Sequence, residues 1–171
     1  DFRDVDVAIA RTRAAWRDCA EVREIEALWL DMITAAQRFI YIENQYLTSG
    51  RIAAAIAARM EEEDPPEIVV VMPRSADGWL EQKAMDAARV LLARAIGKAD
   101  RLNRFRIYVP VTGGGADIYV HAKVAIVDDR LLKIGSANLN NRSMGLDSEC
   151  DVVIDAALPA NADTPPAIAA L

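Results

Sequence analysis

A single histidine, two cysteines and a 6% aromatic share are the scarcest features of this 171-residue chain. Cys19 and Cys150 lack the spacing of metal ligands, which argues against a zinc site, and they are expected to pack as buried thiols. Also missing is any apolar run near the roughly 20 residues that span a bilayer. No amino-terminal segment has the basic, apolar, small-residue order of a signal peptide. The sequence opens on Asp1 rather than Met, so a fragment or a processed product is expected. Positive charge is short as well: 20 Lys and Arg against 26 Asp and Glu leave a net charge of −6. Nucleic-acid affinity comes largely from a basic stripe that neutralises phosphates, so this balance argues against nucleic acid as a partner, despite the cluster Arg101, Arg104 and Arg106.

What is present is ordinary globular material, 53% hydrophobic and 27% charged, in a length that suffices for one compact domain with a core. No internal repeat or low-complexity tract interrupts it. Residues 1–20 mix charge with Ala and Trp16 and mark no boundary. From Glu21 a helical stripe runs through Val22, Ile25, Leu28, Trp29, Met32, Ile33 and Ala36. A strand follows at 39–42, then a helix at 50–62 with Ile52, Ile56 and Met60 on one face, ending in a solvated acidic run and Asp64-Pro65-Pro66. Residues 68–72 read as a buried strand closed by Pro73. A helix is expected from Trp79 to about Ile96, capped by Gly97, with a strand at 105–109 beyond it. Gly113-Gly114-Gly115 marks a loop and a weak phosphate cradle, since no helix opens behind it. Strands at 118–127 and 131–134 are joined by a turn at Asp128-Asp129, and a last strand lies at 152–154. The Ala- and Pro-rich tail 156–171 is expected to be loosely ordered. Trp16 and Trp29 are expected in the core, and Trp79 is a candidate for a lipid-facing rim. The sum is an α/β sandwich with a mixed sheet, in one domain over 1–171 whose core is 21–155.

His121-Ala122-Lys123 falls in the middle of the strand expected at 118–127. Period two puts both side chains on one face, about 7 Å apart. An imidazole and an ammonium aimed together suit a phosphoryl group: His attacks phosphorus or protonates a leaving oxygen near neutral pH, and Lys neutralises the non-bridging oxygens. Asp128 has the opposite parity and is a poor base for this histidine. Gly135-Ser136-Ala137-Asn138 closes the next strand, with Ser136 and Asn138 as neutral donors to phosphate. Glu149 is placed to accept from His121 and fix its tautomer. Glu43, Asn44 and Gln45, just after a strand, are candidates for the site mouth.

His121-x-Lys123 with Asp128, then Gly135-Ser136-x-Asn138, resembles the HKD signature of the phospholipase D superfamily. Tyr41-Ile42-Glu43-Asn44-Gln45-Tyr46 is similar to the Ile-Glu-Asn-Gln segment ahead of the second motif in such enzymes. Asn140-Asn141-Arg142-Ser143-Met144 with Asp147-Ser148-Glu149 resembles the stretch that follows it. The resemblance covers about residues 21–155. It implies an α-β-α sandwich forming one half of a duplicated unit, with the active site between halves. It also implies catalysis without metal or cofactor, through a phosphohistidine. By that analogy His121 is the general acid and base of a carboxy-terminal half, Lys123 and Asn138 bind phosphate, Glu149 orients His121, and Asp128 is mainly structural.

One histidine is half of what that mechanism needs. The partner expected is an amino-terminal HKD half of the same parent protein, or else a second copy of this chain in a homodimer. The activity expected is hydrolysis or transphosphatidylation of glycerophospholipids by a soluble domain peripheral to a phospholipid membrane surface. A metal-independent homodimeric nuclease, a cardiolipin synthase-like phosphatidyl transferase and a non-catalytic lipid- or partner-binding domain are the alternatives.

Overall fold

The computed structural model describes residues 2–74 and 79–171, with the side chains of residues 79–86 excepted. Trp79, the rim candidate, thereby lies outside the described side chains. In chain order the elements are β1 (Ala8–Arg13), β2 (Val22–Arg23), α1 (Glu24–Ala35), β3 (Phe39–Asn44), α2 (Gly50–Met60), β4 (Glu67–Val71) and α3 (Trp79–Ala99). They continue with β5 (Phe105–Tyr108), β6 (Lys123–Val127), β7 (Leu131–Gly135), α4 (Asn141–Gly145), β8 (Glu149–Asp155) and, after a 3-10 turn at Pro159–Asn161, α5 (Pro165–Ala169).

The eight strands form one mixed sheet in the order β2-β1-β8-β7-β6-β3-β4-β5. Parallel pairing joins β3, β4 and β5, whose connections pass through the helices α2 and α3, while β3 meets β6 antiparallel and β6, β7, β8 and β1 follow antiparallel. Alternation along the strands sorts two faces. On one, Ile40, Ile42, Ile68, Val70, Ala125 and Val153 pack against the apolar stripes of α1 (Ile25, Trp29, Met32, Ile33) and α2 (Ile52, Ile56, Met60). The opposite face carries a smaller cluster in which Ile126, Leu132 and Ile154 meet Ile168 of α5, with Phe2 and Val5 against it. The α/β class and mixed sheet expected from the sequence are the observed ones.

Several local expectations give way. The amino-terminal stretch holds β1, which lies inside the sheet against β8. Its polar sequence hides it, since pairing with a strand nearly the whole chain away is what recruits it. Gly97 does not end α3. The helix continues to Ala99, and Asp100 stops it by accepting from the backbone N–H groups of Arg104 (2.8 Å) and Phe105 (2.9 Å). Nor is the tail loose: Ile168 and Asn161 are wholly buried, and the Asn161 side chain bonds to the backbone of Asp6 and Asp155. Trp29 is core as expected, whereas Trp16 is 70% exposed beside a local bridge to Cys19. Both cysteines are exposed, Cys150 because it alternates with the buried Asp151 along β8.

Candidate active site

Strand β6 begins only at Lys123, so His121 lies just ahead of the ladder and not within it as the sequence suggests. The reason is lack of neighbours. Lys123 pairs with Asn44, the last residue of β3, and β7 ends at Gly135, so among the described residues no strand lies beside 118–122. Freed from the ladder, His121 is exposed, while Lys123 at the strand's first position is 8% exposed.

Backbone geometry couples the two residues. The Lys123 ammonium donates to the His121 carbonyl oxygen at 2.8 Å and lies 3.5 Å from Gln45 Oε1. Burial lowers the Lys123 pKa, and the nearby Glu149 carboxylate opposes that shift. Gln45, 9% exposed, donates in turn to the hydroxyls of Tyr119 (2.5 Å) and Tyr46 (3.2 Å). Tyr119 stacks on the His121 imidazole with ring centroids 6.4 Å apart and planes 18° from parallel. A chain of contacts thus runs from the ammonium through an amide and a phenol to the imidazole. Tyr119 is a site residue that sequence reasoning missed. Its place two residues before His121 is the signal that it shares that stretch of chain. His121 opens into a cleft of about 450 Å³ whose other walls include Tyr41, Glu43, Val71, Pro110 and Tyr119. Within it the Tyr41 hydroxyl donates to Glu43 at 2.6 Å, and burial with that carboxylate pushes the phenol up to about 12.

The predicted mouth residues divide. Glu43 faces the cleft and Gln45 touches Lys123, but Asn44 is wholly buried. Its Oδ1 accepts from the backbone N–H of Leu139 (3.0 Å) and its amide reaches the Ala137 carbonyl (3.4 Å), so it braces the loop after β7. On that loop Asn138 carries a buried Oδ1 with no hydrogen-bond partner among the described residues. The Ser136 hydroxyl, by contrast, is engaged: it donates to Glu149 and accepts from the Cys150 N–H at 3.0 Å.

That engagement corrects one expected contact. Glu149 was placed to accept from His121, yet among the described residues it accepts from Ser136 and forms no hydrogen bond with the imidazole. Strand order explains this, because β7 stands between β8 and β6 and its terminal loop meets Glu149 first. Asp128 sits at the far end of β6 from Lys123. Its carboxylate accepts from three successive backbone N–H groups, those of Gln37 (2.6 Å), Arg38 (2.8 Å) and Phe39 (2.8 Å). This places it away from His121 and makes it an anchor for the entry to β3.

Residues 29–163 match the family model described as cardiolipin synthase, PLD-like domain. The chain belongs to the phospholipase D superfamily. Among curated relatives it is 30% identical over 174 residues to phospholipase D zeta 2 of Arabidopsis thaliana, covering 77% of this chain and 17% of that protein. It is 29% identical over 188 residues to phospholipase D B of Dictyostelium discoideum, covering 86% and 15%. The chain therefore spans under a fifth of the length of these phospholipases D. Its fold is that of Nuc, a phospholipase D family member from Salmonella typhimurium (TM-score 0.67, 17% identity, 96% of this chain and 88% of that one). It also matches a phosphatidylserine synthase from Haemophilus influenzae (TM-score 0.65, 17% identity, 95% and 38%). Of the motif residues, His121 lines the cleft, Lys123 is tied to it through the His121 carbonyl, Asn138 lies on the loop after β7, and Asp128 is at the far end of β6.

Proposed function

We propose that this chain supplies the carboxy-terminal HKD half of a phospholipase D-type site that hydrolyses glycerophospholipids or transfers their phosphatidyl group. The observation that carries the reading is an exposed imidazole whose own carbonyl is bonded to a largely buried ammonium, together with a buried Asn138 oxygen that has no partner among the described residues. A histidine of the partner half attacks phosphorus, forming a P–N bond as the bond to the head-group oxygen breaks. His121 gives its proton to that leaving alkoxide. It then takes a proton from water, whose oxygen displaces the phosphohistidine and releases phosphatidic acid. Any alcohol in place of water gives transphosphatidylation, the chemistry suggested by the cardiolipin synthase-like family description. Lys123 and Asn138 balance charge on the non-bridging oxygens.

The need for a partner half rests on the single histidine, and the uncovered sheet face supports it. Ile9 pairs with Val152, Val152 with Ile134, and Ile134 with Val124, giving an apolar row across four strands on the face opposite α1 and α2. Ile9, Ile134 and Val152 are exposed, at 61%, 50% and 37%. Beyond Val124 the row meets Glu43, a wall of the His121 cleft. A membrane surface is the source of substrate. No helix among the described residues is long and apolar enough to cross one.

The test is head-group release from phosphatidylcholine and phosphatidylglycerol by the full-length protein. His121→Ala is expected to lose about 10²–10⁴-fold in kcat. Wild type no more active than that variant sinks the reading. A protein that sediments as a two-fold dimer and cuts DNA without added metal would instead establish the nuclease alternative.

A further inference from the structure

Lys133 and Asp151 are both wholly shut off from water, and neither belongs to the motif. Burying such a pair strips both ions of their hydration, and apolar residues of similar volume often make as stable a fold. What the pair holds in place is therefore the informative question. Lys133 Nζ donates to Asp151 Oδ2 at 2.5 Å and lies 4.9 Å from the Trp29 ring centroid. The other carboxylate oxygen, Oδ1, accepts from the backbone N–H of Ala137 at 3.1 Å. Ala137 is the middle residue of Ser136-Ala137-Asn138.

Gly135 makes that reach possible. It pairs with Asp151 in the sheet, and a Cβ at 135 would stand 2.0 Å from Asp151 Oδ1 and 2.6 Å from its Cα. The carboxylate thus occupies space that only glycine leaves open. Lys133 fixes one oxygen, and the second is left aimed past the strand end at the loop. Asn44 grips the same loop from the opposite side, through Ala137 and Leu139. Two buried side chains from different strands therefore clamp the segment that presents Asn138.

We propose that Asp151, steered by Lys133, is the positioning residue that sets the Ser136–Asn138 loop for contact with a phosphoryl oxygen. The proposal rests on the phosphodiesterase reading above. Asp151 acts through Ala137 and touches no substrate.

Two double variants in the full-length protein separate positioning from stability. K133M/D151N removes both charges but keeps an oxygen for the Ala137 N–H, whereas K133M/D151L removes both charges and the acceptor. Neither leaves a lone buried ion. The measurements are inorganic phosphate affinity, kcat and KM for head-group release, and peptide-resolved hydrogen exchange across Ala137. In K133M/D151L the Ala137 amide is expected to exchange, and phosphate to dissociate, about tenfold more readily, with kcat falling by a similar factor. K133M/D151N restores all three towards wild type. Unchanged phosphate affinity and kcat in a K133M/D151L protein that has released its Ala137 amide overturns the proposal, as does an amide that stays protected there. Should that variant not fold, wild type decides. A preset loop protects Ala137 before phosphate is added, and protection that appears only with phosphate rejects presetting. A wild type that neither binds phosphate nor releases head group rejects the phosphodiesterase reading itself. An active wild type matched by K133M/D151L rejects only the positioning role.

Discussion

An ammonium has three N–H groups, and at Lys123 one is given to the His121 carbonyl and a second leans towards Gln45. One remains for the phosphoryl oxygen of the proposed reaction, in which this lysine would pin the backbone as well as supply a counter-charge. That the two lie together is legible in sequence from their spacing alone, although the link is to the His121 backbone carbonyl and not across a shared strand face. Lys133 is not, because an isolated strand lysine reads as a solvated charge until the β7–β8 register sets it beside Asp151. Exposed pairs behave differently. Arg130 Nε and Nη2 donate to both oxygens of Asp155 at 2.9 and 3.0 Å, and these bonds hold the Asp155 carboxyl below its ordinary value of 3.8. A carboxylate shifted downward stabilises the fold above its unfolded pKa, and that contribution is lost as pH falls through the folded one. Arg130→Gln should therefore cost about 0.3–1 kcal/mol in urea unfolding at neutral pH, a cost discounted for solvent screening. The difference from wild type should vanish at pH values below the folded pKa. A difference that persists there assigns the cost to packing.

Among the elements, the helices α1 and α2 announce themselves because each buries one stripe against one face, and Ile25, Trp29, Met32 and Ile52, Ile56, Met60 are those stripes. Strand limits are less visible, since a strand lasts only as long as its neighbours. Residues 118–122 have an apolar composition suited to β structure, yet the ladder stops at Lys123 where β3 and β7 run out. Turn chemistry is explicit: Asp128 and Asp129 take the left-handed region (φ 54° and 55°), which short polar side chains tolerate, and Arg130 N–H closes the turn on Val127 O at 2.9 Å. Asp128 then fastens this turn to the start of β3 by three hydrogen bonds. Asp128→Ala is expected to destabilise the protein by about 2–3 kcal/mol, by leaving charge-assisted bonds unmade. Thermal and denaturant unfolding measure this, and a loss below a few tenths would show that water replaces the carboxylate without penalty.

For the whole molecule, the sheet has one face thickly covered by helices and another covered only in part by α5 and the segment around Phe2 and Val5. The exposed row Ile9, Val152 and Ile134 is the surface where the proposed second HKD half would dock. Replacing Ile134 and Val152 by Lys should leave the chain's own melting nearly unchanged, because both side chains already face solvent. Association with the partner half, or with a second copy, should weaken by about tenfold or more, equivalent to losing at least 1.4 kcal/mol of binding. Sedimentation reads the outcome, and undiminished association would place the interface elsewhere. The sequence conveys the fold class and the family motif, because both are written in local spacing. What it conceals is whatever depends on distant segments meeting: β1 within the sheet, the clamp on Ala137, and the tail packed beneath Ile126.

The position of β1 has a consequence for how the protein is made. Thr12 pairs with Glu149 and Ala8 with Val153, so β1 must wait for β8 to be translated before it joins the sheet. Until β8 leaves the ribosome, neither Glu149 nor Asp151 exists to brace the Ser136–Asn138 loop, and β7 lacks its β8 neighbour. Setting of that loop is therefore tied to the delivery of β8, and the nascent chain is most exposed to mispairing just before synthesis reaches it.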